Sequence, residues 1–267
     1  MANSLNSYIS GLASNYFISH GSTERNQIVS SINTVKSRLK SHFGSKVKNV
    51  LIFGSWDRDT TIPRKYDSNS DVDIMIVFDH DSINNTAETY RKWVLEFAQS
   101  KYSTSLSKKD FPTVRLDMTH ITLDLIPTKI TTLLDAFYFY YIPDSGNKWM
   151  STQPFKFSQE VKNKNTQKNS IVKPVLRLIK AWNAHIGYPF ESFILEKYVL
   201  ENVSWFWIST IEEGFFAAIN NLPTWDVTLT QKSKVQSAQS NLSTIKSFLE
   251  KGDVAMAKLW LHILLPK

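Results

Sequence analysis

Apolar residues recur along this chain first at helical and then at strand spacing. Leu5, Ile9, Leu12 and Tyr16 form one helical stripe within residues 3–18, and Ile28, Ile32, Val35 and Leu39 form another within 22–43. Ser22 is placed to cap the second helix, with Arg25 rather than a capping-box Glu at its N3 position. Residues 46–53 then read as a buried strand. A Gly-Ser turn and a polar loop follow, and a second strand opens at Asp71 and runs to Phe78. A polar segment over 79–85 leads to a helix over 86–101 that turns Tyr90, Trp93, Val94 and Phe97 inward. Residues 111–127 alternate twice. Val114, Leu116 and Met118 mirror Ile121, Leu123 and Leu125 across a tight turn at Thr119-His120, which predicts a hairpin.

From 131 to 169 the period fades. The aromatic run Phe137 to Tyr141 reads as core packing at a lobe junction or as a surface on which a base could stack. Asn163 to Asn169 reads as a connector, or as part of one helix crossing between lobes. The pattern returns at Ser170. Val172, Leu176, Ile179 and Trp182 make an apolar stripe, and Lys173, Arg177 and Lys180 make a basic one that reads as a solvated face. Residues 193–220 read as one or two buried helices, 222–227 as a loop, 232–249 as a more polar helix, and the end as a core helix stopped by Pro266. These elements predict an α+β lobe, a mixed sheet flanked by helices, over 1–150 and a helical lobe over 151–267. The N-terminal helices are expected to pack across both.

Composition narrows the setting. A hydrophobic content of 42% with 13% aromatic residues describes a folded chain with a sizeable core. The absence of cysteine excludes disulfides, thiolate nucleophiles and cysteine-ligated zinc. No apolar run has membrane length and the first residues lack a signal-peptide pattern, so a soluble cytoplasmic protein with no membrane partner is expected. The net charge of +7 suits polyanionic partners such as nucleotides or RNA, and suits an inert basic surface equally well.

The candidate chemistry sits in LIFGSWDRDTTIPRKYDSNSDVDIMIVF, residues 51–78. Strand alternation puts Asp71 and Asp73 on one face, with Val72, Ile74, Ile76 and Phe78 on the other. Two adjacent carboxylates repel unless a cation lies between them, and hard oxygen donors suit Mg²⁺ or Mn²⁺. A D-x-D pair by itself opens many strands with its carboxylates in water. Here Gly54-Ser55 lies directly after the first strand, where a backbone without Cβ, the following amides and a hydroxyl can approach phosphate oxygens. Asp124, between Leu123 and Leu125, faces away from the apolar side and offers a third carboxylate. Asp117, one strand earlier, has the same parity, and parity does not separate the two. His120, at the turn, is given no catalytic role.

Gly54-Ser55 followed by Ser70-Asp71-Val72-Asp73 resembles the signature of the DNA polymerase β-type nucleotidyltransferase superfamily. The longer string resembles the bacterial CD-NTases, relatives of cyclic GMP-AMP synthase and of the 2′-5′ oligoadenylate synthases. The resemblance implies a polymerase β-like catalytic lobe with a helical second lobe. It implies two Mg²⁺ or Mn²⁺ ions held by Asp71, Asp73 and Asp124, the last within LDLIP, a segment similar to the family's third-carboxylate motif. RLIKAWN and ESFILEK resemble the second-lobe motif, so Lys180 and Ser192 join Gly54 and Ser55 as nucleotide-binding candidates. The implied activity joins NTPs such as ATP or GTP into a cyclic di- or trinucleotide signal of antiphage defence (CBASS type). With no cysteine, the zinc ribbon of the animal DNA sensor is excluded. An RNA 3′-end nucleotidyltransferase is the alternative, favoured by seven basic residues against the single acid Glu160 over 151–181. A degenerate nucleotide-binding protein is the non-enzymatic one, and it has no physical need for three clustered acids.

Overall fold

Both N-terminal helices begin where a serine can cap them. In the computed structural model, which describes residues 4–108, 113–133, 137–144 and 147–267, Ser4 accepts from the Ser7 amide and Ser22 from the Arg25 amide. The helices are α1 (Leu5–Asn15) and α2 (Thr23–Phe43), and the predicted stripe residues of α2 are buried together with Phe43 at its end. Then come β1 (Val47–Phe53), a single turn α3 (Gly54–Asp57), β2 (Asp71–Phe78), a short α4 (His80–Ile83) and α5 (Ala87–Lys101). The strands β3 (Leu106–Lys108), β4 (Val114–Asp117), β5 (Thr122–Leu133), β6 (Phe137–Pro143) and β7 (Trp149–Thr152) precede α6 (Pro154–Gln167), α7 (Val172–His185), α8 (Ser192–Asn202), α9 (Ile211–Asn221), α10 (Leu229–Glu250) and α11 (Val254–Leu264).

The described strands form one mixed sheet in the order β1-β2-β5-β4-β3, with β6 and β7 continuing from the far end of β5. β2 and β5 run parallel, and the remaining pairs are antiparallel. The predicted hairpin is β4 and β5, paired Val114 to Leu125 and Leu116 to Leu123. Phe111 and Pro112, at its expected start, lie outside the described residues. From Ile74 to Phe78, β2 is buried on both faces, as a central strand covered by helices must be. Phe78 stacks on Tyr90 of α5 with ring centroids 4.5 Å apart. Only the first three residues of the strand, where Asp71 and Asp73 stand, leave one face half-open.

The stretch over 131–169 is more regular than its sequence suggests. The aromatic run is β6, a strand whose Phe139 to Ile142 are all half-buried, so no alternation marks it. The expected connector at 163–169 is largely the end of α6. That helix stops only where Asn169 and Ser170 take left-handed backbone angles, φ 47° and 64°.

The chain divides into two compact units. One holds His20–Arg58 and Asn69–Gln159, and with them the sheet, α2, α3, α4 and α5. The other holds Met1–Ser19, Asp59–Ser68 and Glu160–Lys267, that is α1, the helices from α7 to α11 and the loop between α3 and β2. A single cut near 150 therefore does not describe the division. The loop over 59–68 leaves the sheet because its side chains are bound by α7 and α8. Thr60 and Ile62 are fully buried, and Asp59 pairs with Lys173 at 3.0 Å. No helix of the described residues is long and apolar enough to cross a membrane.

Candidate active site

Register builds the site. The parallel pairing of β2 with β5 sets Asp73 beside Asp124, and the antiparallel pairing of β5 with β4 sets Arg115 on the other side of Asp124. One row along, Asp71, Thr122 and Asp117 are neighbours in the same way. Because strand side chains alternate, all six project from one face. One oxygen from each of Asp71, Asp73 and Asp124 lies within 4.8 Å of the other two. The Asp124 side chain is 6% exposed and that of Asp71 30%, so Asp124 is the buried member of the cluster and Asp71 an open one. Asp117 is exposed at the end of β4, where its Oδ1 accepts from Thr122 Oγ1 at 2.8 Å. Parity left Asp117 and Asp124 equivalent; the geometry gathers Asp124 with the β2 pair.

The donor set fits a hard divalent cation, since all three groups are carboxylates and one oxygen of each lies close to the other two. Gly54 makes room for it in a specific way. At φ +71°, a Cβ on this residue would lie 1.9 Å from Asp73 Oδ2. The residue that was expected to let backbone approach a ligand thus also lets backbone approach the aspartate. Gly54→Ala is expected to cost about 1–2 kcal/mol for the left-handed backbone alone, and further to displace Asp73. Mn²⁺ binding should fall at least tenfold, by order of magnitude, in a variant that still folds. Unchanged Mn²⁺ affinity in that variant would contradict the close approach. Ser55 is half-buried in the single turn that follows.

Sequence reasoning missed Arg115. Its Nε donates to Asp124 Oδ1 at 2.8 Å and its Nη2 to Oδ2 at 2.7 Å, a two-pronged grip, and Nη2 is 3.7 Å from Asp71 Oδ2. The signal was present, because the mirrored apolar residues of the hairpin already set Arg115 opposite Asp124.

The second-lobe candidates belong to the helical unit. Lys180 is buried on α7, its Nζ 3.3 Å from Glu196 Oε1, and Thr60 Oγ1 is within 3.1 and 3.2 Å of the two Glu196 oxygens. Arg177 donates to the carbonyls of Ala13 at 3.3 Å and Asp59 at 3.0 Å, and lies over the Phe17 ring. Burial pulls its guanidinium down to about 10, while the Asp59 charge opposes that shift. The basic stripe is therefore not a solvated face: Lys173, Arg177 and Lys180 all point into the unit and find partners there. Ser192 is half-buried as the first residue of α8.

A mixed sheet that gathers three carboxylates at the start of β2 and β5, with flanking helices and a separate helical unit, is a polymerase β-like nucleotidyltransferase fold. The chain belongs to the family of the Second Messenger Oligonucleotide or Dinucleotide Synthetase domain, whose model matches residues 4–165. It is 26% identical over 208 residues to a probable cyclic nucleotide synthase of Bacillus cereus (strain VD146), a match that takes in 63% of this chain and 61% of that protein. Among solved structures it is similar in fold to the CD-NTase CdnG of Bradyrhizobium diazoefficiens in complex with GTP, with a TM-score of 0.71 at 14% identity, covering 97% of this chain and 99% of that one. It is also similar to the CdnE cyclic dinucleotide synthase of Elizabethkingia meningoseptica with GTP and Apcpp, with a TM-score of 0.60 at 19% identity over 82% and 91% of the two chains.

Proposed function

We propose that the chain is a divalent-metal-dependent nucleotidyltransferase that joins NTPs into a cyclic di- or trinucleotide and releases pyrophosphate. The observation that carries this reading is the convergence of Asp71, Asp73 and Asp124 within 4.8 Å, with Gly54 packed against Asp73. Family membership, and the names of the relatives as cyclic nucleotide and cyclic dinucleotide synthases, support the cyclic product and with it a signalling role in antiphage defence. Two Mg²⁺ or Mn²⁺ ions bound there would neutralise the triphosphate and make the acceptor hydroxyl more acidic.

Within this reading the protein's own groups orient the reactants. Asp71 and Asp73 project side by side from β2 and would serve both ions, and Asp124 would complete the one nearer the acceptor. Ser55 and its neighbouring amides would hold phosphate oxygens, fixing the line of attack before reaction. Lys180 and Ser192 enter as triphosphate-binding residues through the resemblance. The RNA 3′-end alternative loses part of the support it drew from α7, because Lys173 is paired with Asp59 and Arg177 donates to the carbonyls of Ala13 and Asp59.

Incubation with all four NTPs and Mg²⁺ or Mn²⁺, followed by phosphatase and mass spectrometry, tests the reading. Phosphatase-resistant cyclic oligonucleotides are expected from NTPs alone. Incorporation that occurs only when RNA is added would overturn it in favour of the alternative.

A further inference from the structure

The fold places a positive charge where a metal site would want none. Asp124 is flanked in the sheet by Asp73 on one strand and by Arg115 on the other, and both oxygens of Asp124 accept from the Arg115 guanidinium, at 2.8 and 2.7 Å. The same guanidinium is 3.7 Å from Asp71 Oδ2, so it spans two of the three carboxylates. Its side chain is 31% exposed and lies at the solvent edge of the cluster, whereas Asp124 is 6% exposed. Three carboxylates this close would repel strongly with no cation among them. An arginine held by a two-pronged hydrogen bond keeps its charge at any accessible pH and has a fixed geometry.

We propose that Arg115 is the resident counter-ion of the carboxylate cluster: it holds Asp124 and Asp71 together before divalent ions arrive, and it competes with those ions for Asp124. The inference rests on the reading of the cluster as a metal site. Arg115 is then a positioning residue, touching neither substrate nor reacting atoms, and it sets the metal concentration at which the site fills.

Mn²⁺ titration of the nucleotide-free protein, read by the loss of the free-ion electron paramagnetic resonance signal, tests this without turnover. Arg115→Gln is expected to bind Mn²⁺ about tenfold tighter than the wild type, the order set by a unit charge acting on a divalent ion a few ångströms away in a water-like dielectric. Arg115→Lys keeps the charge but loses the fork, and should fall between the two. The rise in melting temperature on moving from EDTA to Mn²⁺ should be larger in Arg115→Gln than in the wild type, because the ion-free variant has lost its counter-charge. Mn²⁺ binding that is lost in Asp73→Asn but no tighter in either Arg115 variant than in the wild type overturns this inference and leaves the metal site standing. A wild-type protein that binds no Mn²⁺ overturns both.

Discussion

Exchanging Asp71 and Asp73 together for asparagine is expected to cut pyrophosphate release by at least about a thousandfold, since several kcal/mol of charge stabilisation would be removed and each 1.4 kcal/mol is a factor of ten. Asparagine keeps the shape of aspartate, so the close approach of Gly54 to residue 73 survives. The fold should survive too. In metal-free buffer the variant should melt no lower than the wild type, because the like charges that strain the empty cluster are gone. The two readouts together separate chemistry from folding: a large loss of turnover with an unchanged or raised melting temperature. Turnover within tenfold of the wild type would remove the metal assignment.

The second large effect lies far along the chain, in the helical unit. Glu196→Ala is expected to destabilise the protein by about 3–5 kcal/mol, because it strands the Lys180 ammonium in a buried site with no counter-charge. The Glu196 side chain is 1% exposed and that of Lys180 7%, so water cannot take over the missing partner's role. The Thr60 hydroxyl loses its acceptor as well. If the penalty is that of an orphaned charge, removing the charge recovers it. A Lys180→Met, Glu196→Leu double variant should regain most of the lost stability in a denaturant titration. A double variant as unstable as Glu196→Ala would mean that the pair contributes through packing alone.

Much of the sheet could be read from the sequence because its signals are local. Asp71 and Asp73 are two apart on a strand, and a period of two puts them on one face whatever the rest of the chain does. The mirrored hairpin residues set the pairing of β4 with β5, and with it the place of Asp124. The parallel pairing of β2 with β5, which brings Asp73 beside Asp124, joins residues about fifty apart and leaves no mark in either strand. Arg115 was legible in principle from the hairpin register, but a basic residue at a polar position of a strand reads as surface until its cross-strand neighbour is considered.

Elsewhere the missing information was long-range or hidden by composition. The stripe of Lys173, Arg177 and Lys180 has the same helical spacing whether it meets water or acids. What distinguishes the cases is Asp59, from a loop far upstream, and Glu196 on the next helix. That loop also explains why a boundary placed by composition alone misses the division, since residues 59–68 interrupt the sheet-bearing unit and join the helical one. β6 was obscured because aromatic side chains fill both parities, and the end of α6 because polar residues on a helix resemble a linker until the left-handed Asn169 and Ser170 stop it.

The most direct test of the central claim is anomalous diffraction from crystals grown with Mn²⁺ and a non-hydrolysable NTP. Two manganese peaks are predicted, both bounded by Asp71 and Asp73 and one of them also by Asp124, with the nucleotide's phosphates against Ser55. A nucleotide-bound structure in which the three carboxylates point apart and no peak lies among them would contradict it.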